Sequence, residues 1–164
     1  MKAILRQFKG QNHGHLVQFV KYALAGGVAT AVHISIFYFL SIIVLPALEA
    51  GDPVGGILNI PLPDLAEGVR ARNATINNLA AFMISNFVVY QINIHWVFEA
   101  GRHNRWVELG MFYLVAGASV IIGTGLMAFL IASRGLSTTV AFGANVFVAL
   151  AMNYAARKFF IFKG

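Results

Sequence analysis

Four long apolar stretches, at about residues 17–45, 74–98, 107–132 and 138–162, constrain this chain more than any other feature. Each exceeds the roughly 20 residues that a helix needs to cross a hydrocarbon core. A soluble fold would have to bury nearly all of them beneath a surface carrying about a quarter charged residues. Here 59% of the 164 residues are hydrophobic and 11% are charged. Those charges cannot solvate a globule, but they suffice to decorate the loops of a membrane bundle. The first stretch is also too long for a signal-peptide apolar region of about 7–15 residues, and no small-x-small cleavage site follows it closely. The expectation is an all-α membrane protein with four transmembrane helices.

The basic residues orient the bundle. Lys2, Arg6, Lys9 and Lys21 precede or open the first stretch, Arg102 and Arg105 lie between the second and third, and Arg157, Lys158 and Lys163 end the fourth. Arg70, Arg72 and Arg134 fall on the other side, with four of the six acids. Cytoplasmic flanks hold the excess of Lys and Arg, so both termini are expected in the cytoplasm. The net charge of +6 then belongs beside anionic lipid headgroups, where each basic residue contributes about 1 kcal/mol; nucleic acid is not an expected partner.

The chain repeats itself. Tyr22-Ala23-Leu24-Ala25-Gly26 opens the first stretch as Tyr113-Leu114-Val115-Ala116-Gly117 opens the third. Asn93-Ile94-His95-Trp96-Val97-Phe98 ends the second as Arg157-Lys158-Phe159-Phe160-Ile161-Phe162 ends the fourth. The offset is 91 residues at the opening and 64 at the close, so the first half carries about 27 extra residues in its hairpin. These are residues 46–72, with all four prolines, read as an external loop with a short interfacial piece around Ile57–Leu62. Two spans per repeat make the two-helix repeats parallel, related by an axis along the membrane normal.

These landmarks resemble the GtrA-like family from about Phe19 to Phe162. They are Phe19-Val20-Lys21-Tyr22-Ala23-Leu24-Ala25-Gly26-Gly27 in the first span and an Asn-aromatic-x-x-Asn-Arg-x-aromatic-x-Phe ending in the even spans. Asn153-Tyr154 and Arg157-Lys158 through Phe162 fit that ending in the fourth span, and Asn93, Trp96 and Phe98 fit it in the second. The second copy departs from the pattern, with Ile94 in place of a basic residue and Val89 in place of Asn. The resemblance implies one membrane domain over residues 1–164. It also implies a role in polyprenyl-phosphate-linked sugar pathways, by moving the lipid-linked sugar or by assisting the glycosyltransferase that makes it.

The residues themselves narrow the chemistry. No Asp or Glu lies inside a span, Glu108 flanking the short cytoplasmic loop at the very start of the third stretch, which disfavours an ion-coupled exporter and favours transport down a gradient. The stretches hold asparagines instead. Asn86 and Asn93 share one face of the second helix at seven-residue spacing, and Asn153 and Arg157 share one face of the fourth. A guanidinium pairs with phosphate oxygens, and amides match sugar hydroxyls as donors and acceptors. The expected substrate site is therefore a cytoplasm-facing phosphate cluster of Lys21, His95, Arg157 and Lys158, with Asn86, Asn93 and Asn153 above it. The plainer reading of the two terminal basic residues is topological anchoring. For Asn77, Asn78 and Asn145 it is cross-helix bonding, worth about 0.6 kcal/mol each. His33, near the middle of the first span, is expected to bond a neighbouring Asn or a carbonyl. No nucleophile–base pair, metal constellation or cofactor motif is found, so no enzyme is expected.

The expected function is translocation of a polyprenyl-phosphate-linked monosaccharide, undecaprenyl-phosphate glucose first among them, across the bacterial or archaeal inner membrane. The alternative is a scaffold for a membrane glycosyltransferase. Four helices hardly enclose a sugar pathway, so a homodimer or higher homo-oligomer is expected, most simply a two-fold dimer.

Overall fold

The structure, a computed structural model, describes residues 15–97 and 104–156. All the regular structure among them is helical. Helix α1 (His15–Phe39) runs on through a π-helical turn, Leu40–Val44. A short α2 (Pro53–Leu58) precedes α3 (Glu67–Ile92), which ends in a second π-helical stretch, Asn93–Val97. Helices α4 (Arg105–Arg134) and α5 (Thr138–Ala156) complete the chain.

The long helices alternate in direction. Gly135, at φ 61°, caps α4 in the left-handed conformation, with its N–H bonded to the Ile131 carbonyl, and α5 starts three residues later. At the same end, Asn77 of α3 donates to the Leu45 carbonyl (2.8 Å) and to Ser41 Oγ (3.0 Å), closing the α1–α3 hairpin. At the opposite end the Tyr90 hydroxyl donates to the Arg105 carbonyl, joining α3 to α4. Helix α3 packs against both α1 and α4, and α5 packs against α4.

The segment between α1 and α3 is folded onto the bundle, with Ala47 and Leu48 fully buried. Asp52 caps α2 by accepting from Val54 N, with Pro53 at the first helical position, where its missing N–H costs nothing. Asn59, at φ 52°, ends α2. The helix of this segment therefore lies at 53–58, earlier than the interfacial piece expected at 57–62. Residues 67–72, expected in the loop, are the first turns of α3. They are helical because buried Arg70 finds partners there: Glu49 at 2.8 Å and the Leu136 carbonyl at 3.0 Å.

Two apolar clusters divide the interior. Phe37, Ala74, Ala81, Met127, Ile131 and Phe142 fill the half nearer the loop, and Ala25, Val89 and Val97 form the core of the other half. Between them lies a polar layer contributed by all four long helices. Asn78 Oδ1 accepts from Asn145 Nδ2 (3.0 Å) and pairs with His33 Nε2 (2.9 Å), while Asn78 Nδ2 donates to Thr124 Oγ1 (2.7 Å). An amide oxygen can only accept, so His33 carries its proton on Nε2, and Nδ1 lies 3.2 Å from Ser85 Oγ, whose single hydrogen also has the Phe82 carbonyl at 3.2 Å. The outer surface is apolar instead: Leu114 is 78% exposed and Phe147 71%, while Lys21, Asp52 and Arg70 are buried. That inversion suits lipid as the solvent.

By length and composition, Val17–Val44 and Arg105–Arg134 can cross a membrane, and α5 contributes a shorter apolar stretch, Thr138–Ala149. Helix α3 has the length, at 26 residues, but Asn73, Asn77, Asn78, Asn86 and Gln91 lower its apolarity. All four of those asparagines are buried within the bundle.

Candidate functional site

At the end away from the loop, the start of α1 meets the end of α3. Lys21 is fully buried. Its Nζ donates to the Trp96 carbonyl at 3.2 Å and lies 5.2 Å from the centroid of the Trp96 indole, within cation–π range. The indole thus lies against the ammonium, which is not open to bulk solvent as a residue at the mouth of the span would be. Trp96 belongs to the same π-helical stretch as Asn93 and His95. His95 is exposed, while Asn93 is 4% exposed and Asn86, two turns earlier on the same face, is 7% exposed.

The two asparagines share an unusual property. Among the described residues, neither side-chain polar atom of Asn93 has a hydrogen-bond partner, nor does Asn86 Nδ2. Leaving a buried polar group unpaired costs about 1–3 kcal/mol, so such atoms mark either strain or a missing partner. Asn73, Asn77, Asn78 and Asn145 are all bonded within the protein. Among the described residues, six buried asparagines therefore fall into four that fasten helices together and two that retain bonding capacity.

Of the other expected site residues, Arg157 and Lys158 lie outside the described residues, and so does the Asn153 side chain. The structure brings Lys21 together with the turn that holds Asn93 and His95.

A second feature lies halfway along the bundle. Helices α1 and α5 are joined near the loop, where Phe37 and Phe142 stack 3.8 Å apart and within 3° of parallel. Tyr38 donates to Thr139 Oγ1 (3.1 Å), and Asp52 accepts from both Thr139 N (2.9 Å) and Thr139 Oγ1 (2.5 Å). Thr138 Oγ1 donates to the Ala47 carbonyl. Below this closure is an open cleft of about 150 Å³, whose polar lining is Thr30, His33, Ser85 and Asn145. Sequence reasoning missed the cleft and its closure. Asn78 and Ser85, seven residues apart opposite His33, were the available signal.

The family described as GtrA/DPMS, transmembrane domain, matches residues 66–162. The chain belongs to this family. The match begins at Ala66, the residue capping α3, and so covers α3 to α5, whereas the landmark resemblance extends back into α1. Membership and the apolar helices make the chain a membrane protein. The GtrA/DPMS family is associated with lipid-linked sugar translocation in general, and its members are generally transporter-like membrane proteins. No curated protein and no solved structure matches the chain.

Proposed function

We propose that this GtrA/DPMS-family protein flips a polyprenyl-phosphate-linked monosaccharide, in the first instance undecaprenyl-phosphate glucose, across a bacterial or archaeal inner membrane. The sugar would then modify a cell-surface polysaccharide. In this reading all four long helices span the membrane as two parallel two-helix repeats, with the loop outside and both termini in the cytoplasm.

The observation that carries the reading is the unpartnered amide of Asn93, beside the turn that meets Lys21. A buried amide with both atoms free offers a donor and an acceptor to a polar ligand. The neighbouring cation, His95 and, from the end of the fourth span, Arg157 and Lys158 supply positive charge for its phosphate. Asn86 and Asn153 extend the amide set toward the sugar hydroxyls. Cations at the cytoplasmic interface would collect the lipid from the leaflet in which cytoplasmic enzymes build it. A two-fold dimer would help to enclose the path.

The test is reconstitution in liposomes with polyprenyl-phosphate glucose on the inner leaflet, followed by oxidation with an impermeant external oxidant. Wild-type protein should accelerate exposure of the sugar over empty liposomes, and Arg157→Gln should abolish the acceleration without impairing insertion. No acceleration from folded protein would instead favour a scaffold for the glycosyltransferase.

A further inference from the structure

We infer that the cleft between α1 and α5 is a hexose station at mid-depth, occupied by the sugar ring after its phosphate has left the basic end. The inference rests on the translocation reading and adds to it a second site, one that shares no residue with the phosphate cluster.

Depth is the first argument. Counting about 1.5 Å of rise per residue, His33 lies about 18 Å along α1 from Lys21, and Ser85 about 12 Å along α3 from Asn93. In a hydrocarbon core about 30 Å thick, that is near the midplane. A glycosyl phosphate holds its ring and phosphorus only a few bonds apart. One molecule therefore cannot fill both sites together, and the cleft is a separate stop.

Size and chemistry are the second. The cleft, about 150 Å³, has room for far more than one water, whose share of liquid volume is about 30 Å³. It is smaller than the roughly 300 Å³ at which pockets for drug-sized ligands begin. A single pyranose ring falls in that interval. The polar lining has capacity left after its internal bonds. Thr30 donates to the Gly26 carbonyl and keeps its acceptor lone pairs. Asn145 uses one amide hydrogen on Asn78, leaving the other hydrogen for a ligand. Ser85 donates one proton and still accepts. Ala29 and Ala149 offer an apolar wall to the C–H face of a sugar.

Closure is the third. The Phe37–Phe142 stack and the Asp52–Thr139–Tyr38 bonds lie between the cleft and the loop end. A ring in the cleft would be blocked on that side until these contacts part, as a stop on the way across requires.

The experiment uses full-length protein in liposomes with polyprenyl-phosphate glucose carrying a diazirine at sugar C6, photolysed and mapped by mass spectrometry. Labels are expected in residues 29–34 and 145–149 as well as near Trp96. Ala149→Phe, which fills the cleft but removes no hydrogen bond, should lose the cleft labels, keep those near Trp96 and flip at least ten-fold more slowly. Ala29→Phe should behave alike and guards against misfolding of the first variant. Labels confined to the Trp96 end, or normal flipping by either folded variant, would overturn the station while leaving the translocation reading standing. Cleft labelling by a wild type that does not flip would uphold the station and remove the translocation reading. A wild type with neither label nor flipping would remove both.

Discussion

His33 and Asn78 meet across the α1–α3 interface at 2.9 Å, and that bond is one of three by which Asn78 holds α1, α4 and α5 to α3. Replacing Asn78 with Leu should leave His33, Thr124 and Asn145 without this partner. Cross-helix bonds in membranes average about 0.6 kcal/mol, so three of them predict a loss of about 2 kcal/mol. Reversible unfolding in mixed detergent micelles would measure it. A loss below about 0.5 kcal/mol would mean that the apolar clusters above and below the layer hold the bundle without it.

Gly123 of α4 exists for the same layer. A Cβ built there runs into the Asn145 side chain and lies 3.2 Å from the Asn145 carbonyl oxygen, whereas one at Gly125 meets open space. Gly123→Ala should push α5 outward and break the Asn145–Asn78 bond, at an overpacking cost of about 1–3 kcal/mol. Gly125→Ala should be neutral or slightly stabilising, because Ala is the better helix former. Thermal unfolding of the two variants side by side would show the contrast. Equal melting temperatures would contradict the close approach of α4 and α5 at this point.

How much of this was readable beforehand varies by element. The apolar runs located α1, α4 and the start of α5 to within a few residues, because their length and composition determine them locally; the expected end of the fourth span lies outside the described residues. The start of α3 was misplaced by seven residues because Arg70 and Arg72 look like loop charges in one dimension. Only the packed structure supplies the Glu49 carboxylate and the Leu136 carbonyl that let Arg70 be buried. The Asp52-Pro53 pair was a helix-start signal in plain view, outweighed by the glycines around it. In the candidate site, charge placement pointed to the end where Lys21 meets the Asn93–Val97 turn. The division of asparagines into fasteners and free amides was not readable, since helical spacing says which face a residue shares and nothing about what it meets there.

Asp52 ties the loop to α5. Its carboxylate accepts from Thr139 N and Thr139 Oγ1 while also capping α2. Hydrogen bonds to a charged group contribute about 1.5–3 kcal/mol each. Asp52→Ala should therefore release the 46–66 segment, and proteinase K should cut within it at least about ten-fold faster, the change that 1.4 kcal/mol of local opening brings. Asp64→Ala, at an exposed residue of the same segment, is the control. Identical cleavage rates for Asp52→Ala and wild type would show that Ala47 and Leu48, by their burial, hold the segment unaided.

Asn93 offers the most discriminating substitution, because stability and function should move in opposite directions. Its two side-chain polar atoms are buried and unpaired. An apolar side chain of similar volume removes that penalty and costs little elsewhere. Asn93→Leu should therefore stabilise the ligand-free protein by about 1–3 kcal/mol, measured by unfolding in detergent. In liposomes the same variant should flip polyprenyl-phosphate glucose more slowly than wild type, since the amide that would bond the lipid headgroup is gone. Leu at Asn77 should do the reverse for stability, because Asn77 is bonded to Ser41 and Leu45, and it lies outside the site. A destabilised Asn93→Leu would identify Asn93 as one more fastener whose partner lies beyond the described residues. A stabilised variant with unchanged flipping would show that the free amide does not belong to the substrate path. Only higher stability combined with slower transport fits an amide kept unpaired for a ligand.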